Sequence, residues 1–357
     1  MKIGFDARLI NHPGIGRYVK NILRYMHAVS PEIEFLLYGE PAQLTQFKGA
    51  RIVTCRAPVY SIREFLGNSF AGNLDVLHVP HFNAPLRFSG KLVLTIHDLI
   101  YLKFRESSTR LRQVVARPVI AHAIRNAARI IAVSENTKKD IIELFPAAQE
   151  KVMVIPEGVD PEFKAIEDSK VLEAVRKKYK LAQEFIVCVG SLKKHKNFEM
   201  LIDAYQELKA KGFRHSLVIV GRFRPREAHI LEKIKTSDAQ YIGEVPSSDL
   251  VALYNMASLL VLPSLYEGFG LVVLEAQACG LPVACSRAAS LTEVAGDGAL
   301  YFDPTSRREM AQAIKQLVSD GVLRKQLVVE GFQNLARFSW EKAAAATLEV
   351  YREACSG

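Results

Sequence analysis

Residues 267–275 read EGFGLVVLE and are followed directly by AQACGLPV. Before them lies an apolar run, LLVLP at 259–263, whose composition is typical of a strand. From Gly270 the composition is that of a helix, until Gly280 and Pro282 stop it. The stretch therefore predicts a strand, a loop and a helix in that order, with one carboxylate in the loop and a second inside the helix.

The start of this helix is a candidate phosphate site. The first backbone N–H groups of a helix lack partners within it, so those around Phe269, Gly270 and Leu271 can hold an anion. Glu267 in the loop and Glu275 two turns inside the helix can accept hydrogen bonds from hydroxyl groups on either side of that anion. A nucleotide-sugar has this layout of ribose hydroxyls, pyrophosphate and sugar hydroxyls. The alternative is a surface acid followed by a capped helix.

The stretch resembles the E-x7-E signature of the retaining glycosyltransferases of family 4, also called glycosyl transferases group 1. Its aromatic–Gly step and the closing GLPV match that signature as well. The resemblance implies the GT-B fold, an α/β architecture of two Rossmann-like doubly wound domains that face a cleft. The segment FSWEKAAAATLEVYREA, from Phe338, matches the family's closing helices, which implies a C-terminal helix that crosses back to the first domain.

The length of the chain and its alternation of strand-like and helical segments both predict two domains. At 357 residues the chain exceeds what one hydrophobic core usually supports, and strand-like runs alternate with helical stretches as in βαβ units. The predicted strands lie in KIGFDA, IEFLLYG, ARIVTC, DVLHVP, KLVLTIHD, ARIIAVS, KVMVIPEGV, FIVCVGSL, SLVIVGR, AQYIGEV, LLVLPSL and LPVACS. We place the domain boundary after residue 168. The resemblance then implies an acceptor-binding domain at 1–168, a nucleotide-sugar-binding domain at 169–337 and the returning helix at 338–357.

Composition argues against several other classes of protein. Hydrophobic residues make up 49% and charged residues 24%, without a long polar tract that would indicate disorder. No apolar run reaches the roughly 18 residues of a membrane span, and KIGFD begins a strand rather than a secretory signal, so we expect a cytoplasmic protein. The five cysteines show no C-x-x-C pairing, so neither a disulfide framework nor a zinc cluster is expected.

Part of the formal net charge of +9 is concentrated in one segment of the chain. One segment contains the basic residues Lys103, Arg105, Arg110, Arg112, Arg117, Arg125 and Arg129. It is either a solvated helix face or a surface for an anionic partner, such as a membrane leaflet or a lipid-phosphate acceptor. Nucleic acid is a weaker candidate, because the segment lacks an aromatic platform and a recognised binding motif. A peripheral position at the inner face of the membrane is therefore one expectation.

Two further turns are candidates for donor binding. Gly14 and Gly16 stand in NHPGIGRY, between the first strand and a periodic helix, where glycine lets backbone N–H groups approach an anion. The alternative is a plain tight turn, but the loop is similar to the GIGRY loop of many mannosyltransferase-like members of the family.

The second turn is VGSLKKHKNF, which contains Gly190 and Ser191 and resembles the family's G-x-x-x-x-R-K-N pattern. That resemblance places Lys196 at the donor pyrophosphate, with His195 standing where Arg is usual. Arg222, just after the LVIVG strand, is a second phosphate candidate. The alternative for the lysines is a solvated basic turn.

His97 and Asp98 end an apolar strand in TIHDL, where a parallel sheet presents side chains to a ligand. A lone histidine is more often structural, but family members use a histidine at the matching position near the donor sugar and acceptor. His81 in HVPHFN has a similar setting. Asp98 is as suited to holding the histidine or a backbone turn as to acting directly.

The resemblance implies transfer of a sugar from a nucleoside diphosphate to an acceptor hydroxyl with retained anomeric configuration. We assign His97, Glu267 and Lys196 to catalysis, and expect no cofactor or metal because no D-x-D motif is present. The spacing and the GIGRY loop favour, by resemblance, GDP-mannose as donor and a glycan or lipid-linked acceptor. The alternatives are a transferase that uses a UDP-sugar, a GT-B epimerase or phosphorylase, and a non-catalytic nucleotide-sugar-binding protein.

Overall fold

The computed structural model describes residues 1–59, 61, 70, 72–86, 88, 90–104 and 110–356. The chain divides into two compact units. Unit 1 consists of Met1–Gly158 and Phe338–Gly357, and unit 2 of Val159–Arg337.

The strands of the described residues are β1 (Lys2–Asp6), β2 (Glu34–Gly39), β3 (Arg51–Thr54), β4 (Val76–Val79), β5 (Lys91–Ile96), β6 (Ala127–Ala132), β7 (Val152–Val154), β8 (Phe185–Val189), β9 (Ser216–Val220), β10 (Gln240–Gly243), β11 (Leu260–Leu262), β12 (Val283–Ser286) and β13 (Leu300–Phe302). The helices are α1 (Ile15–Val29), α2 (Pro41–Leu44), α3 (Ile100–Lys103), α4 (Arg110–Asn126), α5 (Glu135–Leu144), α6 (Ser169–Tyr179), α7 (Phe198–Ala210), α8 (Ala228–Lys235), α9 (Ser247–Met256), α10 (Leu271–Ala278), α11 (Leu291–Ala295), α12 (Arg307–Ser319), α13 (Gly321–Leu335) and α14 (Trp340–Ser356).

Each unit contains one parallel sheet. The order is β3-β2-β1-β4-β5-β6-β7 in unit 1 and β10-β9-β8-β11-β12-β13 in unit 2. In both sheets the order reverses beside the first strand of the unit, which is the doubly wound arrangement of Rossmann folds. The predicted fold class, with two such sheets and a C-terminal helix in the first unit, is confirmed.

Continuous apolar runs form these strands because both faces of each sheet are covered. In β8, Phe185, Val187 and Val189 belong to one buried cluster, while Ile186 and Cys188 belong to another on the opposite face. Successive side chains of a strand point to opposite faces, so the run fills two layers of helices at once.

The C-terminal helix α14 packs against α1 inside unit 1. Its Tyr351 lies 2.5 Å, hydroxyl to Nδ1, from buried His78 of β4, and the other ring nitrogen of His78 contacts Thr95 Oγ1 of β5 at 2.8 Å. Gly158 allows the close approach at the start of α14, since a Cβ there would lie 2.3 Å from the backbone nitrogen of Trp340. The return of the helix is therefore fixed by buried contacts.

The division between the units differs from the predicted boundary after residue 168, because it falls after Gly158. Phe163 is buried in the core of unit 2, and Ile166 packs against the same core. The side chain of Asn255 in α9 accepts a hydrogen bond from Ile166 N and donates one to Lys164 O. Segment 159–168 thus belongs to unit 2 through packing that composition does not show.

Acid should destabilise unit 1 through His78. Burial lowers the pKa of this histidine to about 3, so the folded protein resists a proton that the unfolded chain accepts below about pH 6.5. Above that pH, His78 is neutral in both states and does not lower the free energy of unfolding. As the pH drops towards 3, the free energy of unfolding falls by about 1.4 kcal/mol per pH unit.

Urea denaturation at several pH values between 7.5 and 4 measures this effect. His78→Gln should show a shallower loss of stability in acid than the native protein, whereas His229→Gln, at an exposed histidine, should show the native slope. Equal slopes for the native protein and His78→Gln would contradict the assignment.

Candidate active site

The loop from β8 to α7 positions Lys196 at the carboxyl edge of the unit 2 sheet. Gly190 and Ser191 directly follow β8, and the chain then forms a 3-10 turn over Lys194–Lys196. Asn197 adopts a left-handed conformation, φ 59°, which asparagine tolerates better than most residues. Its amide donates hydrogen bonds to Pro263 O at 3.0 Å and Pro304 O at 2.8 Å, which fixes the turn against the segments that follow β11 and β13.

Gly190 itself is crowded by a neighbouring strand end. A Cβ at Gly221, which follows β9 and has φ 145°, would lie 1.9 Å from the carbonyl oxygen of Gly190. Glycine at 221 therefore allows the two loops to approach.

The loop from β11 to α10 brings Glu267 to Lys196. Lys196 Nζ lies 2.6 Å from Glu267 Oε1, and Ser264 Oγ donates a second hydrogen bond of 2.6 Å to the same oxygen. Both charged side chains are largely buried, with 17% of the lysine and 12% of the glutamate exposed. Burial raises the pKa of Glu267, but the Lys196 charge and the hydrogen bonds from Lys196 and Ser264 outweigh it, and the pKa is lowered. The pair is therefore an ionised carboxylate beside an ammonium group.

A buried serine holds the Glu267 loop in shape. Ser290 Oγ contacts the carbonyl oxygens of Glu267 at 2.9 Å and Phe269 at 2.8 Å. Gly270 adopts φ 107° at the start of α10, where a side chain would be strained and would also meet Leu291. Leu271 begins the helix, and no described side chain caps it. The start of α10 therefore retains backbone donors of the kind that bind anions.

Glu275 lies inside α10 and is buried, with 1% of the residue exposed. Its Oε2 accepts a hydrogen bond of 3.2 Å from the hydroxyl of Tyr254, in α9. Tyr254 thereby orients the second carboxylate of the E-x7-E stretch.

Two other residues of the predicted donor-binding loops in unit 2, Arg222 and His195, differ in their exposure to solvent. Arg222 is exposed, and its Nε is 2.9 Å from Glu244 Oε2 in a surface ion pair. His195 is buried, which lowers its pKa to about 3, with a further contribution from the Lys196 charge. His195 is therefore neutral at physiological pH and cannot supply the charge of the arginine that is usual there.

In unit 1, Gly14 ends the loop that follows β1, and Gly16 is the second residue of α1. Gly14 has φ 83° and is exposed, whereas Gly16 is buried and a Cβ there would lie 2.3 Å from Ile10 O. Gly16 N donates to His12 O at 2.8 Å, so this amide is used within the loop. Glycine at position 14 allows the positive φ of the turn, and glycine at position 16 allows the backbone to pack closely against Ile10.

His97 follows β5 and is held by an acid that the sequence analysis did not single out. Its Nδ1 lies 3.0 Å from Oε1 of Glu157, which follows β7 and is 4% exposed. The ring of Tyr18 in α1 meets the imidazole edge to face at 4.9 Å. His97 Nε2 is buried and has no hydrogen-bond partner among the described residues.

His81, the second histidine candidate, has a hydrogen-bond partner within unit 1 for each of its ring nitrogens. Its Nε2 lies 3.2 Å from Asp6 Oδ2, and its Nδ1 accepts the backbone N–H of Asn83 at 3.0 Å. Burial raises the pKa of Asp6, but Arg8 and His81 outweigh it and hold that pKa well below its usual range. Arg8 Nη2 is 2.6 Å from Asp6 Oδ2, so the acid is the centre of a buried cluster.

Asp98, which could have held His97, accepts a hydrogen bond of 3.1 Å from the backbone N–H of Ile100, the first residue of α3. The acid beside His97 is Glu157 instead. The signal that could have found it is its place in VMVIPEGV, directly after a predicted strand, where parallel sheets present functional side chains. Ser264 had the same signal, since it directly follows the predicted strand LLVLP, whereas Ser290 and Tyr254 had no comparable signal.

The basic segment is partly neutralised. Lys103 forms ion pairs with Asp140 at 3.0 Å and Glu143 at 2.7 Å, and Arg129 pairs with Glu353 at 3.2 Å. Arg117 and Arg125 are exposed. Arg105 and the side chains of Arg110 and Arg112 lie outside the described residues.

Within the described part of the chain, no helix has the length and apolar composition to cross a membrane. The same residues contain no group of three or more His, Cys, Asp or Glu side chains that could hold a metal ion.

Comparisons with known proteins show the family and the fold of the chain. The family model described as Glycosyltransferase Family 4 matches residues 13–163, and the model described as Glycosyl transferases group 1 matches residues 172–333. Anabaena HepE, solved in complex with UDP and glucose, superposes with a TM-score of 0.77 at 20% identity and covers 98% of both chains.

Two curated relatives from Escherichia coli are named mannosyltransferases. O-antigen chain mannosyltransferase B is 28% identical over 99% of this chain and all of the relative. Serotype-specific mannosyltransferase WbdA is 30% identical over 82% of this chain, which spans only 36% of that relative's length. The two models, the GT-B architecture and these relatives show that the chain belongs to glycosyltransferase family 4, the glycosyl transferases group 1, as a mannosyltransferase-like member.

Proposed function

We propose that the protein transfers mannose from GDP-mannose to an acceptor hydroxyl, with retention of the anomeric configuration, in the assembly of a polysaccharide, an O-antigen or a lipid-linked glycan. The observation that carries the proposal is the buried Lys196–Glu267 ion pair beside the start of α10. The two relatives named mannosyltransferases support mannose as the sugar. A UDP-sugar is the second candidate donor, because the HepE structure contains UDP and glucose.

Lys196 and the start of α10 are suited to a diphosphate. When the bond between the sugar C1 and the phosphate oxygen breaks, negative charge develops on the leaving diphosphate. An ammonium group and backbone donors that are already in place stabilise such charge without reorganisation. The carboxylate of Glu267 balances the charge of the Lys196 ammonium group. A bound diphosphate would therefore compete with Glu267 for this ammonium group.

Glu267 and Glu275 are suited to hydroxyl groups. Carboxyl oxygens accept hydrogen bonds from hydroxyl groups, and Ser264 and Tyr254 fix the two side chains in orientation. On this proposal Glu267 binds the transferred sugar and Glu275 the ribose. The acceptor oxygen forms its bond to C1 on the face that the phosphate leaves, and its proton passes to the leaving phosphate, so the protein contributes positioning and charge stabilisation.

Replacing the two glutamates should affect different steps. Glu267→Gln should lower kcat by about 100-fold, because it weakens contacts to the reacting sugar and leaves Lys196 without its counter-charge. Glu275→Gln should raise the dissociation constant of GDP about tenfold with a smaller effect on kcat.

Steady-state rates and titration calorimetry separate these effects. Asp203→Asn, in the surface pair of Asp203 with Lys233, is the matched control and should change neither quantity. Native behaviour of both glutamate variants would contradict the site assignment.

Donor choice and metal independence can be tested together by thermal shift. GDP and GDP-mannose should raise the melting temperature more than the UDP, ADP and CDP compounds, since a ligand at 100 times its Kd stabilises by about 2.7 kcal/mol. The shift and the transfer rate should be the same in EDTA and in magnesium, because Lys196 and α10 would take the place of a metal. A larger shift with UDP compounds would favour the second donor, and transfer that EDTA abolishes and magnesium restores would exclude metal independence.

We further propose that the basic segment, residues 103–129, binds an anionic membrane surface that carries the lipid-linked acceptor. Replacing Arg110, Arg112 and Arg117 with Gln should weaken binding to anionic vesicles by about 100-fold at low salt, since each basic residue near such a surface contributes about 1 kcal/mol. Transfer to a lipid-linked acceptor should slow while affinity for GDP is unchanged.

Vesicle co-sedimentation is the measurement. Replacing Lys177, Lys211 and Lys235, three exposed lysines of unit 2, with Gln removes the same charge and should have a much smaller effect. Equal binding to neutral and anionic vesicles would show that the segment is an ordinary solvated face.

A further inference from the structure

We propose that Glu157 is a positioning residue, which holds the imidazole of His97 in one tautomer so that Nε2 faces a hydroxyl group of the bound sugar or acceptor. The inference rests on the proposed function in one respect, namely that His97, which the sequence analysis assigns to catalysis, touches the transferred sugar or the acceptor. It adds the acid that determines which ring nitrogen is available.

The contact itself determines the tautomer. Glu157 Oε1 lies 3.0 Å from His97 Nδ1, and a carboxylate can only accept a hydrogen bond. Nδ1 therefore carries the hydrogen. In the neutral ring, Nε2 is then left with a lone pair that can accept a hydrogen bond from a hydroxyl group.

The surroundings fix the ring as well as its tautomer. Tyr18 packs edge to face against the imidazole, and Thr137 Oγ1 donates a hydrogen bond of 3.2 Å to the carbonyl oxygen of His97. The His97 side chain is only 14% exposed. Nε2 is buried and lacks a partner among the described residues, so a hydroxyl group at that atom would satisfy a polar atom that is costly to leave unpaired.

His81 also lies beside an acid, but the acid is an aspartate and the arrangement is the opposite. The backbone N–H of Asn83 donates to its Nδ1, so the ring hydrogen lies on Nε2 and points to Asp6. Both ring nitrogens are thus used inside unit 1. In His81 the acid lies at Nε2 and a backbone N–H occupies Nδ1, so this histidine stabilises the fold. In His97 the acid lies at Nδ1, which leaves Nε2 for a ligand on this proposal.

The first test is spectroscopic and needs no activity. In protein labelled with nitrogen-15 histidine, long-range proton–nitrogen spectra should show His97 with its hydrogen on Nδ1, assigned by its loss in His97→Ala. Glu157→Ala should convert this signal to a mixture of tautomers, whereas Asp98→Asn, at the neighbouring acid, should not. A native His97 with its hydrogen on Nε2 would overturn the proposal.

The second test asks whether Glu157 acts through His97. Glu157→Ala should lower kcat about 10- to 100-fold, with affinity for GDP unchanged within about twofold. In the His97→Ala background the same change should cost less than about twofold, because residues that act as a unit are non-additive. Glu157→Gln, whose amide oxygen can still accept from Nδ1, should recover part of the loss.

The outcomes are distinguishable from failure of the proposed function. Equal losses from Glu157→Ala with and without His97 would show an independent structural role and contradict the inference. A native protein that transfers no sugar from any donor would contradict the proposed function, while the tautomer spectra would still decide the role of Glu157.

Discussion

A parallel sheet brings the carboxyl ends of its strands to one edge, and the polar clusters of both units lie at such an edge. In unit 1, Asp6 ends β1, and His97 and Glu157 follow β5 and β7. In unit 2, Lys196 and Glu267 follow β8 and β11, which are neighbours in the sheet. Residues far apart in the sequence become neighbours because strand order, not chain order, determines which loops meet.

Burial at these edges requires that charge be balanced. An unpaired ion in a protein interior is costly, and the two units avoid that cost in two ways. Asp6 and Glu267 remain ionised because Arg8 and Lys196 lie within hydrogen-bonding distance. His78 and His195 become neutral instead, as their lowered pKa values show. On the proposed function a bound diphosphate competes with Glu267 for Lys196, whereas the two neutral histidines carry no charge for such a ligand.

Much of the fold could be predicted from the sequence because it depends on local patterns. Apolar runs marked twelve strands, but β13 was missed, since its three residues, Leu300–Phe302, form a short edge strand next to β12. The candidate residues Lys196 and Glu267 were found, but their contact was not, because it joins positions 71 residues apart through the sheet order. The acid beside His97 was missed for the same reason, since Asp98 is adjacent in sequence while Glu157 is adjacent in space.

The C-terminal helix shows how far such coupling extends within unit 1. Tyr351 of α14 contacts His78, His78 contacts Thr95, and Thr95 Oγ1 lies 2.9 Å from the hydroxyl of Tyr18. The ring of Tyr18 in turn packs against His97 and against Trp340 at the start of α14. Buried, mutually satisfied polar groups of this kind favour one arrangement, because any displacement leaves a donor or acceptor unpaired. The C-terminal helix is therefore part of the structure that holds His97 in place, and its return to the first unit supports this candidate site residue as well as the fold.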